Sequence, residues 1–123
     1  MRRPGDGGAA AVEFALVLPL LLMILFGIVN LGQALTAQLV ITRAAQDGAR
    51  LGALRQQGVA AVVQSAVQSV PGVAQVLVTP CPFSGPGDSA VTVTVPFNVT
   101  AAGLLGLGPV LTLSATSQVP CEP

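Results

Sequence analysis

The stretch AAAVEFALVLPLLLMILFGIV, residues 9–29, decides the architecture of this chain. It is 21 residues long and Glu13 is its only charge, while about 20 apolar residues suffice to cross a bilayer core as a helix. Pro19 lies inside the run. In water an interior proline costs a helix about 3 kcal/mol, but a membrane helix tolerates one when its neighbours satisfy the freed carbonyl, so a modest kink is expected. A cleaved secretory signal is the rival reading. Arg2 and Arg3 supply its positive start, yet the run exceeds the usual stretch of about 7–15 residues. The best cleavage site beyond it, Ala34-Leu35-Thr36-Ala37, places Leu where a small residue is needed. A membrane span at residues 9–29 is the expectation.

Composition agrees. Among 123 residues, 52% are apolar and only 8% charged, against about 25% charged in a soluble domain. Five arginines balance five acids, and Lys, His, Trp and Tyr are absent. A neutral chain with no basic stripe and four aromatics is a poor match for nucleic acid. Arg2 and Arg3 hold the N-terminus inside by the positive-inside rule, although Arg43 beyond the span weakens the contrast. The two cysteines, Cys81 and Cys121, both lie in the C-terminal part. Paired, they would put that part in an oxidising compartment and tie the end of the first strand at 73–79 to the tail after the third at 111–119, making those strands neighbours; unpaired, they would be small core residues.

Glu13 needs a reason. A carboxylate at bilayer depth costs about 2.5–3.5 kcal/mol on insertion scales, and such residues usually have a partner. The plain alternative is a side chain near the helix start that snorkels to the headgroups.

Past the span, residues 30–57 contain no Pro and turn amphipathic, so the helix is expected to run on as a stalk to Gln57, roughly 70 Å in all. Leu31, Leu35 and Leu39 are expected to share a stripe with Ala45 and Ala49. Ala44, Gly48 and Gly52 are spaced by four, a row that lets another backbone come close. Each Gly costs a helix about 1 kcal/mol against Ala, so the row points to a contact, the alternative being an exposed helix with chance glycines. Gly58 is expected to end or bend the helix. Val59, Val62, Val63, Ala66, Val67 and Val70 then form a second helical face, stopped by Pro71-Gly72. Residues 73–79, 90–99 and 111–119 read as strands. Val91, Val93, Val95, Phe97 and Val99 lie on one face of the second, and Leu111, Leu113, Ala115 and Val119 point inward from the third. Pro96 marks an edge strand or a break in pairing. Leucines 104, 105 and 107, in the loop at 100–109, are available to plug the sheet or to touch lipid or a partner. The fold class is α+β: a long transmembrane and stalk helix, a second short helix and a small three-stranded antiparallel sheet.

Chemistry is sparse. With no His and five scattered acids, no acid–base pair, metal cluster or nucleophile–base arrangement can be assembled. The sequence calls for no enzyme, cofactor or metal.

The N-terminal pattern is more telling. A short basic leader ends in Gly8, an apolar helix begins at Ala9, and Glu13 stands fifth after the glycine. This resembles the type IV prepilin pattern. The run GAAAVEFALVLPLLLMILFGIVNLGQALTAQLVITRAAQDGARLGAL, residues 8–54, resembles the TadE/TadG-like pseudopilins of the tight-adherence (Flp) pilus system, the AAQDGAR stretch most specifically. Major subunits of that system carry Tyr after the Glu, whereas this chain has Phe14, as the TadE-like members do, which favours a minor pilin. The resemblance implies a leader at residues 1–8, cut between Gly8 and Ala9 by a prepilin peptidase. It implies a span at 9–29, an extension at 30–57 and a small extracytoplasmic domain at 58–123. It also implies that Glu13 and Phe14 serve subunit assembly, Glu13 by meeting the freed amine of Ala9. Its partners would be other pilins and pseudopilins, the inner-membrane assembly platform and membrane lipid. The alternative is an unprocessed single-span protein whose outer domain binds a partner.

Overall fold

The computed structural model describes residues 6–72, 74–97 and 111–122. Helix α1 spans Asp6–Ala53, 48 residues with Pro19 inside, about 72 Å at 1.5 Å per residue. Helix α2 spans Val59–Ala66. Strands β1 (Gln75–Thr79), β2 (Asp88–Phe97) and β3 (Leu111–Pro120) follow. They form one antiparallel sheet in the order β1-β2-β3. The expected α+β fold, with its long first helix, is therefore present.

Period-two alternation in β2 sorts its side chains cleanly. Val91, Val93, Val95 and Phe97 are buried, while the threonines between them are partly exposed and Pro96 is exposed. Their cross-strand neighbours are Val78 and Val76 on one side and Ala115 and Leu113 on the other. On the opposite face Thr92 and Thr116 are paired, their hydroxyl oxygens 3.1 Å apart. Helices α1 and α2 cover the valine face and close one core around Ile41, Val63, Val67, Val91, Val93 and Val95. Leu111, expected to point inward, is 42% exposed at the strand's end.

Pro96 sits in the central strand rather than at an edge. The break in pairing is what accommodates it: β1 pairs with β2 only as far as Gln75↔Thr94, so Pro96 has a partner strand on the β3 side alone. Gly72, at φ +120°, passes so close to this point that a Cβ would lie 2.7 Å from the Pro96 carbonyl. A backbone so placed accepts only glycine.

Helix α1 begins at Asp6, three residues before the expected start, and ends at Ala53, before the expected Gln57. Its stop is a Schellman motif: the Gln56 amide donates to the Leu51 carbonyl and the Arg55 amide to that of Gly52, at 3.1 and 2.9 Å. The residue in the left-handed region is Arg55, φ 57°, where glycine is the usual choice. Gly58, expected to end α1, instead precedes α2 at φ 78°. In α2, Val59 and Val63 are buried and Val67 and Val70 follow in the turns after it, while Val62 and Ala66 face outward, against expectation. Residues 73, 98 and 99, assigned to strands from the sequence, and the leucines at 104, 105 and 107 lie outside the described residues.

Candidate functional site

The chemistry-bearing positions fall into three regions along α1. At its start, Gly8 and Ala9 are in the first turns and exposed, and a Cβ on Gly8 would meet nothing within 4 Å. Glu13 and Phe14 follow on the exposed surface, Phe14 at 65%. The most apolar 18-residue window of α1 has a mean hydropathy of 2.7 and none of it is buried. The helix is thus long and apolar enough to cross a membrane, and its side chains there are left for lipid or for other chains.

The middle region has two faces. Towards the sheet, Ala34, Ala37, Ile41, Ala44, Ala45, Gly48, Ala49 and Gly52 are buried. The row Ala44, Gly48, Gly52 is therefore used within the chain. A Cβ on Gly48 would strike Val63 and come within 3.4 Å of Val91, and one on Gly52 would strike the Ser89 hydroxyl. The absent side chains are what let α1 lie against β2 and α2. Leu31, Leu35 and Leu39 are 58–62% exposed and do not share the face of Ala45 and Ala49. From Leu39 to Ala45 is six residues, about 600° of helix rotation at 3.6 residues per turn, which leaves the two far apart around the axis. The leucine row is the feature that pattern reading misassigned, because it gives the larger side chains to the core. The signal that could have corrected it is the row of small residues itself, which marks where backbones meet.

The third region is the end of α1. Cys81, after β1, and Cys121, after β3, are joined by a disulfide with 5.9 Å between Cα atoms. The strands they follow are not neighbours, as that link would suggest from sequence; β2 lies between them, and the bridge crosses its beginning. The Cys121 amide donates to the Gly87 carbonyl at 2.9 Å. The Cys81 sulfur lies 3.4 Å from the Gly52 carbonyl, a contact only, since a bridged sulfur carries no hydrogen. Beside it, Phe83 projects fully into solvent. Ser89 is buried with no hydrogen-bond partner for its hydroxyl, a cost of about 1–3 kcal/mol. Among the described residues no His, Cys, Asp or Glu cluster could hold a metal ion.

An exposed apolar helix that becomes, without interruption, the spine of a small disulfide-closed α+β domain defines a class: single-helix, membrane-type proteins built on a shared anchor and stalk. The model of the family described as TadE-like protein matches residues 8–50, from the glycine before the helix to the row of small residues. This agrees with the resemblance carried by the sequence and fits a membrane protein of the tight-adherence pilus system. No curated protein and no solved structure matched the chain.

Proposed function

We propose that this chain is a TadE-like minor pilin, a pseudopilin of the tight-adherence pilus system. A prepilin peptidase cuts it between Gly8 and Ala9, and it serves pilus assembly and, through the pilus, surface attachment. It is held in the inner membrane by one span, with its N-terminus cytoplasmic and its C-terminal domain outside. It has no enzymatic role. The observation that carries this reading is the division of α1 into two faces. The chain's own domain uses the small-residue face, while the row Leu31, Leu35 and Leu39 continues the exposed apolar surface of the span beyond the membrane, with nothing among the described residues to cover it. Parallel helices of other pilins are the partners such a surface fits, since apolar rows at helical spacing pack against one another.

Processing is tested first. N-terminal sequencing of the membrane-extracted protein should begin at Ala9. Gly8→Val should leave the leader attached, because a β-branched side chain enters where the peptidase needs a small one. Protein from that variant still starting at Ala9 would count against the cleavage site, and a wild-type chain starting at Met1 against the whole reading.

Glu13 follows the same logic. Removing its charge eases insertion, by about 2.5–3.5 kcal/mol on insertion scales. Its role is to meet the Ala9 amine of a neighbouring subunit. Glu13→Leu is therefore expected to insert as wild type yet fail to enter its pilin complex, read by co-purification and by counting pili. Normal piliation would reduce Glu13 to a tolerated snorkelling residue.

A further inference from the structure

Where α1 leaves the apolar span, its side chains form one wall of an open cleft of about 510 Å³. Val29, Gly32, Ala37 and Val40 of α1 make that wall, and Val70, Pro71 and Phe97 stand opposite. Among the described residues, the polar side chains lining it are Gln33, Thr36 and Ser69, and none is charged. Depth follows from helix geometry. Val29 ends the span, and Gly32 and Val40 lie about 5 and 16 Å further along the axis at 1.5 Å per residue. The headgroup layer on each side of a bilayer is roughly 5–8 Å thick. The lower half of the cleft is therefore at headgroup level and its mouth meets the hydrocarbon edge. The Phe97 end of the sheet is the membrane-proximal end, since the opposite end carries the disulfide beside Gly52.

We propose that this cleft is a lipid site, taking the upper acyl chain and glycerol region of one phospholipid from the leaflet on the domain's side. This rests on the reading of α1 as a membrane span. The occupant is fixed by continuity: the apolar wall is the direct extension of the lipid-facing helix, so the neighbour at that depth is lipid. An uncharged lining matches the glycerol and acyl region rather than an anionic headgroup. Gln33 offers an amide donor to ester oxygens, while the Thr36 hydroxyl is already given to the Gly32 carbonyl at 2.9 Å. A lipid held there would seat the outer domain on the bilayer and fix the tilt at which α1 emerges.

The chain contains no Trp, so single tryptophans report local surroundings without background. The full chain is placed in phosphatidylcholine vesicles whose acyl chains carry bromine, a contact quencher, with Trp at Leu22 in the span, at exposed Ser69 beside the cleft, or at Phe83 at the far end. Leu22→Trp and Ser69→Trp should lose most of their fluorescence and Phe83→Trp little. Gly32→Leu fills the cleft at a position where a Cβ meets nothing within 4 Å. Added to Ser69→Trp, it should restore most of the lost signal. Quenching of Leu22→Trp with none of Ser69→Trp overturns the lipid site and leaves the span intact. Quenching of Ser69→Trp that Gly32→Leu does not change overturns it too, showing nearness to the membrane without an occupied cleft. No quenching of Leu22→Trp removes the span, and the lipid site with it.

Discussion

Cys81→Ser should leave α1 helical and embedded while the chain beyond it becomes rapidly cleaved by protease. The bridge closes a loop with a sequence separation of 40, which in the chain-entropy model stabilises the folded state by roughly 4 kcal/mol. A domain this small has a total margin of about 5 kcal/mol or less, so losing the bridge removes most of it. The position of the bridge adds to the effect. Its Cys81 sulfur rests against the Gly52 carbonyl, so its loss also uncovers the end of α1 where helix and sheet are held together. Limited proteolysis of the membrane-inserted protein, with circular dichroism to follow the helix, measures this. Equal resistance in the variant and the wild type would contradict it. Thiol labelling of the denatured, unreduced protein is an independent check: two reactive cysteines would remove both the bridge and the assignment of the domain to the oxidising side.

Gly48→Leu should be nearly as damaging, whereas Gly27→Leu on the same helix should be tolerated. At Gly48 even a Cβ strikes Val63, which is 1% exposed, and closely approaches Val91, which is fully buried. Both are β-branched and stiff at χ1, so neither can swing aside, and overpacking of this kind typically costs about 1–3 kcal/mol. The better helix propensity of Leu returns less than about 1 kcal/mol. At Gly27 nothing lies within 4 Å, and the change adds only apolar surface to a span. Thermal unfolding of the outer domain should shift down for the first variant and stay in place for the second. Equal shifts would mean that the small residues of α1 are not what brings it against the sheet.

Much of this arrangement can be read from local pattern. The alternation of Val91, Val93, Val95 and Phe97 specifies a strand with one buried face, and the unbroken apolar run at residues 9–29 specifies an exposed helix long enough to cross a membrane. The stalk was harder. Amphipathic reasoning assumes one hydrophobic face per helix, but α1 has two, one of small residues against its own sheet and one of leucines left open. Strand order was obscured for a different reason. A disulfide reports that two points are near, and Cys81 and Cys121 meet beyond the strand ends, where the intervening β2 no longer separates them. At the end of α1 the local rule named the wrong residue: Gly58 is the obvious helix breaker, yet Arg55 takes the left-handed conformation and Gly58 serves the next helix. In the candidate site, the Gly8–Glu13 spacing is legible from sequence alone, whereas the open leucine face became visible only once the sheet had claimed the opposite side.

Sharing one helix between anchor and domain has a practical consequence for anyone who wants the outer part as a soluble reagent. Ile41, Ala44, Ala45 and Ala49 belong to the same apolar cluster as Val63, Val91 and Val93. A fragment trimmed to begin at Gly58 would discard one wall of its own interior and expose the valine face of the sheet to water. One beginning near Ala34 would keep that wall and omit the span. Some twenty residues of the helix that carries the anchor, about 30 Å of it, belong to the interior of the domain, so a boundary drawn at the helix's end cuts through the core.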